Sequence, residues 1–275
     1  MKKVLVPTDS SENAKHALEY ALNLFAGEEV EFTLFNSFLI PVYSADMPIV
    51  VDDFGLDNLQ QELEKDAEVL KDRYASTKYS FKVIVESGSL SISLNHLVDT
   101  LGIDLVVMGT KGASGLVAAI MGSNTSDIIE IATCPVLAVP EGANLSVPKN
   151  IVFASDNQGL SDSGVITPLT DLALKYQSHI HLMNVLDEDK MTTVDEAVEG
   201  LRMDHILDKI LHTFHFENAK DKAEAIEEYL NTHDIDLLAV VPRKNNFFDS
   251  IFHKSVSRKL ALHTKVLLLA MRDLG

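Results

Sequence analysis

Gly109-Thr110-Lys111-Gly112, nine further residues and then Gly122-Ser123-Asn124-Thr125 are the residues best suited by type and spacing to hold a ligand. They directly follow Leu105-Val106-Val107-Met108, an apolar run that reads as a buried parallel strand. Close glycines at the carboxyl end of a strand let backbone approach a ligand with no Cβ in the way. A Gly-Ser pair opening a helix offers unbonded N–H groups and a hydroxyl to an anion. Together these parts suit a nucleotide, with ribose and phosphates over the carboxyl end of a sheet and the phosphates at a helix N-terminus.

Other reactive residue types form weaker patterns. His179 and His181 flank Ile180 on a predicted strand and share a face, and His212 and His215 precede another strand. A zinc site needs three or four convergent ligands, and no HExxH or CxxC spacing is present, so metal ligands stay unassigned. The single cysteine, Cys134 before Pro135, excludes an internal disulfide and reads as a core thiol. No Gly-x-Ser-x-Gly elbow occurs, and the glycine loop lacks the Gly-Lys-Ser/Thr ending of a Walker loop. Phosphoryl transfer needs metal, a positioned nucleophile and charge stabilisation. Ser123 and Thr125 offer a metal–phosphate platform, but no base is identifiable, so at most weak ATP hydrolysis is expected. Arg243, Lys244, Lys254, Arg258, Lys259 and Lys265 form a basic window, read as solvated surface charge with an anion or acidic-partner site as the alternative.

The elements that must position the glycine loop alternate strand and helix. Val4–Val6 is a short apolar strand; Asp9, Ser10 or Ser11 caps a helix on which Ala14, Leu18, Ala21, Leu22 and Phe25 recur with helical spacing. Strands follow at Glu31–Phe38, Phe81–Val85, Asp104–Met108 and Pro135–Val139. Helices follow at Leu59–Tyr74, Ser91–Leu101 and Ser123–Ala132, with a loop from Pro41 to about Asp57. This alternation specifies a parallel sheet covered on both faces. The order then repeats at a spacing of roughly 147 residues, too long for a solenoid unit. Asn150–Asp156 echoes Lys3–Asp9, Ile180–Val185 echoes Phe32–Ser37, Ile235–Val240 echoes Ile103–Met108, and Val266–Leu269 echoes Val136–Val139. Two homologous domains are expected, residues 1–142 and 149–275, joined by a linker carrying Gly142, Asn144 and Pro148.

The chain has 275 residues, enough for two domains of about 130 residues each. Apolar residues make up 46%, enough for packed cores. A net charge of −18 argues against general binding to nucleic acid or to an anionic membrane surface, and suits a cytoplasmic protein. The apolar run near the start ends at Pro7, too short for a signal-peptide core, and no stretch is long and apolar enough for a membrane span.

The spacing Gly109, Gly112, Gly122, Ser123 (Gly, two residues, Gly, nine residues, Gly, then Ser or Thr), with the strand end Pro7-Thr8-Asp9, resembles the nucleotide signature of the universal stress protein family. The resemblance covers essentially the whole chain, as a tandem pair of family domains. It implies α/β domains, each a five-stranded mostly parallel sheet flanked by helices, and a stress-response role with ATP as ligand and Mg²⁺ on its phosphates. It places Asp9 at adenine with Pro7 and Thr8 lining the pocket, and Asn36 or Ser37 beside the base. Met108 and Gly109 fall at the ribose; Gly112, Gly122, Ser123, Asn124 and Thr125 fall at the phosphates. In the second domain the loop stretch reads Val241-Pro242-Arg243-Lys244-Asn245-Asn246-Phe247-Phe248 and has no glycine; although Asp156 is retained, no ATP site of the family type is expected there. Family domains pair through their last strands, so Pro135–Val139 and Lys265–Ala270 are expected to pair within the chain as a pseudo-dimer, with a homodimer of whole chains also open. The alternatives are a scaffold that binds partners without nucleotide, and a slow ATPase.

Overall fold

The structure is a computed structural model that describes residues 1–38, 53–110, 122–155, 159–186, 194–242 and 266–273. The first half runs β1 (Lys2–Pro7), α1 (Glu12–Leu24), β2 (Val30–Phe38), α2 (Asp53–Arg73), β3 (Tyr79–Ser87), α3 (Leu90–Leu101), β4 (Leu105–Gly109), α4 (Ser123–Ile131) and β5 (Val136–Val139). The second half runs β6 (Asn150–Ser155), a 3₁₀ turn (Ser163–Ile166), α5 (Thr167–Tyr176), β7 (His179–Leu186), α6 (Val194–Ile206), β8 (His212–Asn218), α7 (Lys222–Thr232), β9 (Leu237–Val240) and β10 (Leu267–Ala270).

The strands form a continuous sheet in the order β3-β2-β1-β4-β5-β10-β9-β6-β7-β8. Every pairing is parallel except β5 with β10, which is antiparallel through Leu268↔Ala138, Leu269↔Leu137 and Ala270↔Val136. The seam between the halves is therefore a strand pairing, which leaves neither apolar strand as an open edge. Strands covered on both faces read as unbroken apolar runs, and alternate residues go to opposite faces. Val4 and Val6 enter one core layer with α1, and Leu5 enters the other with α3. Leu267 and Leu269 continue the first layer across the seam, and Leu268 and Ala270 the second.

Local signals set the helix ends. Ser11, not Asp9 or Ser10, caps α1: its Oγ accepts the Ala14 N–H at 3.2 Å. Gly102 closes α3 in the left-handed conformation at φ 63°. Three expectations shift. The helix expected from Leu59 begins at Asp53, so Gly55 lies in its first turn rather than in a loop. His212 and His215 lie on β8 itself rather than before it. The strand expected over Phe81–Val85 extends to Tyr79–Ser87. The expectations on Gly112, Asp156, the Pro41–Asp52 part of the loop and the basic window from Arg243 to Lys265 lie outside the described residues.

Candidate ligand cavity at the strand switch point

In the first half the chain leaves β1 toward β2 and β3, then returns to β4 on the other side of β1. Loops leaving β1 and β4 diverge at such a point and open a crevice at the carboxyl ends of the strands. A cavity of about 470 Å³ lies there. It is lined by Pro7, Thr8 and Asp9 after β1, Asn36, Ser37 and Phe38 at the end of β2, Met108 and Gly109 at the end of β4, and Gly122, Ser123, Asn124 and Thr125 opening α4. Eleven of the twelve residues singled out from the sequence thus line one cavity, and the twelfth, Gly112, lies outside the described residues. Ala14, Ser89 and Leu90 complete the lining and were not singled out.

The β1 exit is held by short-range bonds. Thr8 donates its N–H to Phe35 O at 2.8 Å, extending the β1–β2 ladder. Ser10 sits at φ 60°, uncommon for a residue with a Cβ, and its N–H donates to Thr8 Oγ1 at 3.1 Å. Asp9 Oδ1 accepts the Ser11 N–H at 3.1 Å. These bonds turn the chain into α1 and leave Asp9 exposed at the cavity rim.

The β4 exit explains its glycine in a way the spacing did not. A Cβ on Gly109 would lie 2.4 Å from Asn13 Oδ1 and 3.1 Å from the Asn13 main-chain oxygen. Asn13 is buried at 5% exposure, and its Nδ2 donates to Val139 O at 3.3 Å. Gly109 therefore lets α1 approach β4, in addition to opening the cavity wall. Asn13 carries a sequence signal: it lies four and seven residues before Ala17 and Tyr20, so it is a polar residue on the buried stripe of α1.

The start of α4 is open. Gly122 donates its N–H to Thr110 O at 2.7 Å, and its own carbonyl accepts the N–H groups of Thr125 and Ser126 at 3.1 and 3.2 Å. No described side chain caps the helix. The N–H groups of Ser123 and Asn124 form no hydrogen bond among the described residues, and both side chains are exposed. Such N–H groups carry the positive end of the helix dipole and suit an anion. Thr125 differs from its neighbours. It is 2% exposed and its hydroxyl donates to Gly109 O at 3.0 Å, so it ties α4 to the β4 exit.

Asp9 is the one titratable residue among the described lining residues. No group of three His, Cys, Asp or Glu among the described residues is arranged to hold a metal, which includes the histidines of β7 and β8. Cys134 is buried, and burial pushes its thiol up to about 12.

The second half has the same switch point with different residues. The registers Val4↔Leu105 and Ile151↔Leu237 make Val241 the counterpart of Gly109 and Pro242 that of Thr110. Val241 is buried in the core at 5% exposure, and Pro242 lacks the N–H that Thr110 donates to Val139 O.

The Universal stress protein family profile matches residues 1–140. Universal stress protein YxiE of Bacillus subtilis is 27% identical over 145 residues, which is 50% of this chain and 97% of that protein. Universal stress protein MJ0577 of Methanocaldococcus jannaschii is 27% identical over 152 residues, 50% of this chain and 94% of that protein. The crystal structure of a universal stress protein from Archaeoglobus fulgidus matches 98% of this chain and 96% of its own, with a TM-score of 0.71 at 18% identity, a likeness of fold. No described helix is long and apolar enough to cross a membrane. The family match over half of the chain, the α/β fold with its mostly parallel sheet and the likeness across both halves lead to one conclusion: this chain belongs to the universal stress protein family.

Proposed function

We propose that this protein is a cytoplasmic stress-response regulator that binds one ATP in its first domain, residues 1–142. The second domain, residues 149–275, is a degenerate copy that pairs with the first as an intramolecular pseudo-dimer. The observation that carries this reading is the cavity at the first switch point, whose size falls in the usual range for small-ligand sites, roughly 300–1,000 Å³.

In this reading Pro7, Thr8 and Asp9 receive adenine, with Asn36 and Ser37 beside the base and Met108 and Gly109 at the ribose. The phosphates lie on Gly112, Gly122, Ser123 and Asn124, held by backbone N–H groups and the α4 dipole. Thr125 acts as a positioning residue, since its proton is committed to Gly109 O. Mg²⁺ would neutralise phosphate charge; the phosphate oxygens and water would hold it, because the cavity's described carboxylate, Asp9, belongs to the base end. With no base beside the phosphate end among the described residues, ATP acts as a conformational ligand and turnover is slow at most. The second domain lacks such a site because the buried Val241 fills the place that Gly109 leaves open in the first.

A ribose-labelled fluorescent ATP, titrated into the full chain, tests the reading. Saturable binding displaced by unlabelled ATP is expected, weakened at least about tenfold in Gly122→Val, about 1.4 kcal/mol. Equal binding by that variant, folded as judged by circular dichroism, contradicts the assignment of the α4 start to the phosphates.

A further inference from the structure

Away from the cavity, at the other end of the sheet, four histidines converge on one tyrosine. β8 is the terminal strand, paired to β7 with Ile180↔His212, His181↔Thr213 and Met183↔His215 in register. Tyr229 and His233 come from α7 and the turn that ends it. The His179 and His181 rings are 4.1 Å apart between centroids, His181 and His215 5.3 Å, and Tyr229 and His233 3.9 Å. Hydrogen bonds run through the group: His179 Nε2 to Thr213 Oγ1 at 3.1 Å, Thr213 Oγ1 to His215 Nε2 at 2.9 Å, His215 Nε2 to Tyr229 Oη at 3.2 Å, and Tyr229 Oη to His181 Nδ1 at 2.9 Å.

Proton counting shows what this network tolerates. With neutral rings, His181 Nδ1–H donates to Tyr229, the Tyr229 and Thr213 hydroxyls both donate to His215 Nε2, and His179 Nε2–H donates to Thr213. His181 Nε2 is then left over: it is buried and has no partner among the described residues. A neutral ring leaves only a lone pair there. A protonated ring buries a charged N–H with no acceptor, beside three other imidazoles, at far greater cost.

We propose that His179, His181, His215 and His233, gathered around Tyr229, form a proton-operated latch that holds β8 and α7 against β7 at neutral pH and releases them on acidification. Every element packed against His181 adds to the effect. His179 on β7, His215 on β8 and His233 after α7 each oppose a positive charge on His181, and His212 opposes one on His179. Glu217 is the opposing charge and acts on His215. Burial, reinforced by the neighbouring rings, lowers His181 to about 4 and depresses His179 and His215 as well. The unfolded or detached segment therefore binds protons first. The latch is fully closed above the ordinary imidazole value of 6.5 and is progressively lost as pH falls toward 4. β8 is suited to open, since most of its residues are half-buried or exposed and it ends the sheet, and opening it bares the β7 backbone as a pairing edge.

The test is hydrogen exchange of the full chain at about pH 7.5 and about pH 5, corrected for the intrinsic rate and read by mass spectrometry. The β8 amides are expected to lose about tenfold in protection, a value reduced for partial exposure of the rings, while β1 and β4 change by less than about twofold. His181→Gln/His215→Gln is expected to abolish the β8 response, and exposed His96→Gln to leave it intact. Should the double variant fail to fold at neutral pH, His233→Asn supplies the second reading, with a smaller β8 loss than wild type. Undiminished β8 protection in wild type at pH 5, a loss shared equally by β1 and β4, or an undiminished response in the folded variants overturns the latch.

Discussion

Replacing Gly109 by alanine tests whether the strand-exit glycine serves packing as well as ligand approach. The new Cβ meets Asn13 Oδ1 at 2.4 Å, Cγ at 2.8 Å and the main-chain oxygen at 3.1 Å. The side-chain amide can give way only by leaving a buried position and its bond to Val139 O. The main-chain oxygen can give way only if α1 moves off β4. Overpacking costs about 1–3 kcal/mol and loss of a buried hydrogen bond about 1–3 kcal/mol, so Gly109→Ala is expected to destabilise by about 2–6 kcal/mol. Urea unfolding followed by far-UV circular dichroism reads this directly. Asn13→Ala alone is milder, about 1 kcal/mol, because Val139 O keeps the Thr110 N–H at 3.2 Å. The double variant removes the side-chain part of the clash, so a coupling of at least about 1 kcal/mol is expected in the cycle. A Gly109→Ala protein within about 0.5 kcal/mol of wild type, or strict additivity with Asn13→Ala, would refute the packing argument.

Two other outcomes follow from the same structure. Cys134 should resist alkylation in the native protein near neutral pH and react at the rate of a model thiol in denaturant, since burial keeps it protonated; fast native labelling would contradict its place in the core. At the seam, Lys175 Nζ donates to Leu24 O at 2.8 Å and pairs with Glu28, Tyr176 Oη donates to the same carbonyl, and Arg272 donates to Glu130 O at 2.7 Å. Lys175 also places a cation at the C-terminus of α1. Lys175→Met/Tyr176→Phe should lower unfolding stability by about 1–3 kcal/mol, most of it from the carbonyl bonds because the half-exposed ion pair counts for little; unchanged stability would remove these contacts from the account of the seam.

Much of the fold is legible because buried parallel strands leave unbroken apolar runs such as Val4–Val6 and Leu105–Met108, and because the two halves repeat them in register. The α2 start was missed because Gly55 counts against a helix, although in the first turn its cost of about 1 kcal/mol is bearable. The cavity lining was largely legible from the glycine spacing and the strand ends. Ser89 and Leu90 were not, since only tertiary packing brings the start of α3 over β4 and β2. Thr125, placed at the phosphates by the resemblance, does line the cavity, but the sequence does not reveal that its proton goes to Gly109 O. The histidine cluster was half legible: alternation gives His179 and His181 a common face, but the β7–β8 register and the approach of α7 that add His215 and His233 are long-range facts.

Calorimetric titration of ATP with Mg²⁺ into the full, ligand-free chain tests the central claim most directly. The account predicts saturable binding with a stoichiometry of about one per chain, lost or strongly weakened in Gly122→Val. Binding of about two per chain would contradict the reading of Val241 as closing the second site, and no binding at all would contradict the assignment of the first cavity to a nucleotide.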